Sequence, residues 1–114
     1  MELTTAQALH LWHDVNLDLV RDDRPDLTSR QASILLTVYL EAPPHTVRGL
    51  AGKLGVSKPV VTRALDAMGK LDLVNRRRDE DDLRNVLVQR TVAGALYIEY
   101  LADLLARRAR DLRR

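Results

Sequence analysis

Between Val47 and Leu65 the chain leaves little choice of structure. Val47, Leu50, Leu54, Val56, Val61, Ala64 and Leu65 are spaced for two short helices that cross over one small core, with a tight turn between them. Gly55 falls where the first of these helices must end in a left-handed residue, a conformation that only glycine adopts without steric cost. Ala51 falls where the two helices lie closest, so a larger side chain would push them apart. Ser57 is expected to cap the second helix, its hydroxyl accepting a hydrogen bond from a free N–H of the first turn. Pro59 comes early enough that its missing N–H removes no helical bond. Apolar pattern, turn chemistry and cap all specify a helix-turn-helix.

The flanking sequence extends this unit on both sides. Thr4 to Val20 reads as a first helix with a broad apolar face of Leu9, Leu11, Trp12, Val15 and Leu19, and the polar run from Arg21 to Asp26 breaks it. Thr28 can cap a second helix from Ser29 to about Glu41 that buries Ala32, Ile34, Leu35, Val38 and Tyr39, and Pro43-Pro44 ends it. His45 and Thr46 form a short extended piece before the third helix, and a fourth runs from Lys58 to about Lys70. After Leu71 the period turns from helical to extended. Leu73-Val74 and Val86-Leu87-Val88 are β-prone runs around the polar stretch from Asn75 to Asn85, which predicts a two-stranded hairpin with a charged tip. A final helix begins near Thr91 and carries Leu96, Tyr97, Tyr100, Leu101, Leu104 and Leu105 before an arginine-rich end. The fold expected is mainly α with a small β-hairpin, a winged helix-turn-helix with N- and C-terminal flanking helices. It is read as one domain, with residues 27–91 as core and residues 1–26 and 92–114 as flanking helices. No internal repeat, low-complexity run or long linker interrupts it.

Composition narrows the function classes. With one Trp, three Tyr and no Phe, the core must be aliphatic, and with no cysteine there is no disulfide, thiol nucleophile or cysteine zinc site. No Gly-rich phosphate loop, Gly-x-Ser-x-Gly elbow or paired, held carboxylates are present, so no enzyme reading stands. No charge-free run is long enough to cross a bilayer, and the N-terminal stretch reads as an amphipathic helix rather than a signal peptide, which makes a cytoplasmic protein the expectation. The charges are segregated. Glu2, Asp14, Asp18, Asp22, Asp23 and Asp26 face only Arg21 and Arg24 in the first stretch. From Ala42 to Leu65 stand Arg48, Lys53, Lys58 and Arg63 with no acid, as expected for a surface that meets phosphates. Arg107, Arg108, Arg110, Arg113 and Arg114 crowd the end of the chain, where the reading is a solvated helix terminus whose cations complement the helix dipole. His10 and His13 have a spacing that suits two ligands on one metal, but without a third and fourth ligand they are read as surface histidines and no metal is assigned.

From Leu27 to about Gly94 the chain resembles the MarR family of bacterial winged-helix transcriptional regulators. Leu27-Thr28-x-x-Gln31 looks like that family's second-helix start and Val61-Thr62-Arg63 like its recognition helix. Leu73-Val74-x-Arg76, then Asp82-Leu83-Arg84, then Thr91-x-x-Gly94 match its strand, wing and final-helix start in type and spacing. The resemblance implies a recognition helix in the major groove and a wing arginine, Arg84, in the adjacent minor groove with Asp82 holding it. Asp72 stands where the family usually has a glycine, which predicts a left-handed aspartate. Arg90 stands where a buried leucine usually precedes the threonine, which predicts an exposed arginine or a changed approach of the last helix. Asp79 to Asp82 are four consecutive acids, which Arg76, Arg77 and Arg78 must outweigh near phosphates. The resemblance is to a short form, lacking the usual final helix of the dimerisation part.

The function expected is sequence-specific binding of double-stranded DNA as a transcriptional regulator without a cofactor. Lys58, Pro59, Thr62 and Arg63 lie nearest the bases, and Ser57, Thr46 and Arg48 nearest phosphates. Arg63 has alternatives as a phosphate contact or as an internal ion pair with Asp66. Apolar residues on the first and last helices predict a homodimer across a two-fold axis, with packing of those helices within one chain as the alternative. Many MarR-like proteins bind small, often aromatic acids, so the resemblance leaves a small-molecule effector open, but the few aromatics here give no support for a pocket. The competing function is a winged-helix module that acts through a partner protein.

Overall fold

A computed structural model describes residues 2–112 of the chain. The elements are α1 (Thr5–Arg21), α2 (Ser29–Leu40), β1 (His45–Thr46), α3 (Val47–Leu54), α4 (Lys58–Lys70), β2 (Val74–Arg78), β3 (Val86–Arg90) and α5 (Val92–Asp111). They fall into two compact units, one of Leu27–Ile98 and the other of the residues up to Asp26 together with those from Glu99 onward.

In the Leu27–Ile98 unit, α2 starts at a capping box in which Thr28 Oγ1 accepts from the Gln31 N–H and Gln31 Oε1 accepts from the Thr28 N–H. The core is aliphatic, as the composition requires. Ile34, Leu35 and Val38 of α2, Leu50 of α3, and Val61, Leu65 and Met68 of α4 are buried, each contributing about 1.5–3 kcal/mol of transfer free energy. The sheet has three antiparallel strands in the order β1-β3-β2, not the two of the expected hairpin. His45 pairs with Val88 and Thr46 with Leu87, so the short extended piece after Pro43-Pro44 satisfies the backbone groups on the free edge of β3.

The junction of α2, β3 and α5 is built on Tyr39. Its hydroxyl donates to the Leu73 carbonyl at 2.9 Å and accepts from the Thr91 N–H at 2.9 Å. Gly94 lies against it, and a Cβ there would run into the Tyr39 hydroxyl and the Leu73 carbonyl oxygen, so no other residue fits. Asp72, at φ 59°, takes the left-handed conformation expected at that position, and its carbonyl accepts from the Thr91 hydroxyl. Arg90 is exposed, one of the two outcomes expected, but its guanidinium is engaged. Its Nε donates to the Val38 carbonyl at 2.8 Å and a terminal nitrogen to the Glu41 carbonyl at 3.0 Å, capping the C-terminal end of α2.

In the other unit, α1 begins at a second capping box, Thr4 with Gln7, and Val15 and Leu104 form its buried centre. Two polar clamps join α1 to α5 around that centre. Arg108 donates to both carboxylate oxygens of Asp18 at 2.7 and 2.8 Å. The Tyr100 hydroxyl donates to Asp22 at 2.7 Å, with the Arg24 guanidinium 4.0 Å from the Tyr100 ring centre. Arg108, expected as a solvated tail residue, is thus a clamp; Arg113 and Arg114 lie outside the described residues. Leu9, Trp12 and Leu105, by contrast, are 70%, 59% and 44% exposed.

Candidate nucleic-acid interface

The turn between α3 and α4 forms as its residues predict. Thr46 caps α3, its hydroxyl accepting from the Gly49 N–H at 2.9 Å. Gly55 ends the helix at φ 69°, with the Val56 N–H on the Ala51 carbonyl and the Gly55 N–H on the Gly52 carbonyl. Ser57 departs from expectation. It occupies the N-cap position of α4, but its hydroxyl makes no capping bond. Ser57 is exposed, so its hydroxyl is left open to solvent.

α4 has one apolar and one polar side. Val61, Ala64, Leu65 and Met68 are buried, which turns Pro59, Thr62, Arg63, Asp66 and Lys70 outward at helical spacing. Lys58 and Arg48 are also exposed. Arg63 is not paired with Asp66, one of the alternatives that the sequence allowed. That carboxylate accepts instead from Arg76 of β2, at 2.6 Å.

The wing separates its arginines by face. Arg76 and Arg78 stand on the side of the sheet that carries the buried Val74 and Val88, and Arg77 projects from the opposite side. At the tip, Asp79 Oδ1 accepts from the Asp81 N–H and the Asp79 N–H donates to the Asn85 carbonyl, so part of the acid run builds the turn. Asp82 accepts from the Arg84 backbone N–H and takes its guanidinium through two bonds of 2.9 Å. That guanidinium holds the Asp82 carboxyl below the usual carboxylate range, with a further contribution from the charge of Arg48. The Arg84 side chain stays 78% exposed, so the pair aims the arginine without hiding it.

Other candidates give no site. His10 and His13 flank a shallow apolar hollow with Ala6 and Leu9, and among the described residues no three His, Asp or Glu side chains are grouped to hold a metal. A cavity of about 250 Å³ against β3 is lined by Pro43, Pro44, His45 and the stretch from Leu87 to Arg90. It falls short of the volumes usual for drug-sized ligands, and two N–H groups of its arginine are committed to α2, so it supports no effector assignment.

The MarR family sequence pattern matches residues 27–86. Among solved structures, a mutant of S. aureus MepR bound to an oligodeoxyribonucleotide has a TM-score of 0.81 at 20% identity, covering 97% of this chain and 83% of that one. The transcriptional regulator BldR from Sulfolobus solfataricus gives 0.66 at 26% identity, covering 90% and 73%. A mutant of MarR from E. coli gives 0.68 at 25% identity, covering 98% and 84%. No curated protein matches the sequence.

Proposed function

The chain belongs to the MarR family, whose members are transcription regulators rather than enzymes, and from that premise we propose that it regulates transcription by binding a specific double-stranded DNA site. In this reading α4 lies in the major groove and the β2–β3 wing reaches the adjacent minor groove. The observation that carries it is the polar side of α4, which presents Pro59, Thr62 and Arg63, on the same compact unit as an exposed wing arginine held by Asp82. Lys58, Pro59, Thr62 and Arg63 read bases. Ser57, Thr46, Arg48, Arg77 and Arg78 contact phosphates, and Arg84 enters the minor groove. The MepR mutant solved with an oligodeoxyribonucleotide supports the reading through its shared fold.

One such unit reads a short site, and useful specificity comes from two half-sites about one helical turn apart. A homodimer through α1 and the outer part of α5 supplies them, supported by the exposed Leu9, Trp12 and Leu105. A regulator of this kind works in the cytoplasm. No helix among the described residues is long and apolar enough to cross a membrane.

A salt titration of binding to mixed-sequence duplex DNA tests the reading. Phosphate contacts make log K fall with log salt at a slope of about −0.9 per contact. Little affinity at low salt would overturn it and favour a module that acts through a partner protein. Within the reading, Arg84→Ala weakens DNA binding with folding intact, and Asp82→Ala does so more mildly, because it leaves the arginine present but unaimed. Wild-type affinity in Arg84→Ala removes the wing assignment.

A further inference from the structure

Asp66 is out of place on a helix that faces a polyanion. It shares the outward stripe of α4 with Pro59, Arg63 and Lys70, where a bare carboxylate would repel phosphate. Arg63 and Lys70 each lie about one turn away on that stripe, yet the carboxylate takes neither. It accepts from Arg76 across the open groove between α4 and β2, which is lined by Gly69, Lys70 and Asn75. Period-two alternation puts Arg76 on the helix-facing side of the wing, opposite the buried Val88 and two residues from the buried Val74. Its side chain is 34% exposed against 78% for Arg84.

Resting on the DNA-binding reading above, we propose that Asp66 and Arg76 form a latch that sets the wing against the recognition helix, with Arg76 as a positioning residue rather than a phosphate contact. The latch has two effects. It neutralises the one acid on the DNA-facing stripe, and it fixes the separation between the major-groove and minor-groove contacts, so that only duplexes whose grooves match that separation bind well. The first effect is electrostatic and the second geometric, and an exposed pair of this kind adds little to folding stability.

The test uses the full chain and a duplex selected by the wild-type protein from a random library. Asp66→Asn is expected to weaken binding about two- to fivefold, with the slope of log K against log salt unchanged. The reversed pair, Asp66→Arg with Arg76→Asp, is expected to bind better than either single variant. If Arg76 is instead a phosphate contact held in reserve, Asp66→Asn frees it, binding tightens and the slope steepens by about one, which overturns the latch. Hydrogen exchange of the free protein supplies a readout without DNA. Asp66→Asn speeds exchange of the β2 amides and the reversed pair slows it again; unchanged exchange also overturns the latch. A wild-type protein that ignores duplex DNA, with exchange shifting as expected, keeps the latch and removes the DNA reading instead.

Discussion

α4 and α1 treat their apolar residues in opposite ways. α4 buries Val61, Ala64, Leu65 and Met68 and turns a polar stripe outward. α1 buries Val15 alone and leaves Leu9, Trp12 and Val20 at 70%, 59% and 68% exposed. A helix that will meet a polyanion needs water-compatible groups on its free side, because phosphate and ordered water are exchanged there. A helix that will meet another apolar face can leave large side chains out until the second surface arrives. Under the proposed function, the outward side of each helix therefore indicates its partner better than the inward side does.

The largest effect that can break this comparison lies on the inward side of α4. Leu65→Ala should lower unfolding free energy by about 2–5 kcal/mol in urea titrations, because Leu65 is fully buried. Leu9→Ala should shift the stability of an isolated chain by no more than about 0.5 kcal/mol. Comparable losses would mean that α1 already buries Leu9 in the folded chain.

The outward side of α4 comes next. Arg63→Ala should cost about 1–3 kcal/mol on the selected duplex and relax preference at one base position, whereas Arg48→Ala should weaken all sequences alike. A uniform loss from Arg63→Ala would make it a phosphate contact.

For α1, changing Leu9 and Trp12 together to Asp should raise the dimer dissociation constant at least about tenfold, which is about 1.4 kcal/mol. Sedimentation at micromolar concentration reads this directly. A wild-type protein that already sediments as a 12.9 kDa monomer refutes the dimer.

The smallest effect concerns the polar edge of α1. The bonds from Arg108 hold the Asp18 carboxyl below its ordinary 3.8, so the folded state takes up this proton less readily than the unfolded one. The clamp's contribution is complete above the unfolded value and is lost as pH falls through the folded one. Asp18→Asn should therefore be less stable than wild type at pH 7, and the two stability profiles should converge as pH falls below the ordinary 3.8 and through the lowered folded value. Parallel profiles across that range would mean that the clamp adds nothing.

Local chemistry explains what was legible in the sequence. Thr28 and Gly55 act on N–H and carbonyl groups a few residues away, so α2 and the turn into α4 could be placed from short stretches; the cap that Thr46 gives α3 is as local and was missed. Asp82 with Arg84, two residues apart, was expected from the family resemblance rather than from local chemistry. What could not be read depends on distant pairing. The third strand needs His45 to find Val88. The role of Arg76 needs the face of β2 and the stripe of α4 to be known together, although counting by twos from Val74 would already have separated Arg76 from Arg77. Arg108 reads as a tail cation until α1 brings Asp18 to it, ninety residues away in sequence. Ser57 shows the reverse failure, because a residue type suited to capping can hold the position without making the bond.

Arg90 also bears on the order of assembly. The Val38 and Glu41 carbonyls at the end of α2 wait for a guanidinium about fifty residues further along the chain. That closure requires β3 to be in place, and a contact so distant in sequence forms at an entropic cost that local turns avoid. The first turn of α2 is closed locally by Thr28 and Gln31, whereas its last turn takes both a local bond, from the Glu41 N–H to the Thr37 carbonyl, and the distant Arg90. If that closure follows the folding barrier, Arg90→Ala should speed unfolding in stopped-flow denaturant jumps and leave the refolding rate unchanged; a slowed refolding limb would place the bonds before the barrier.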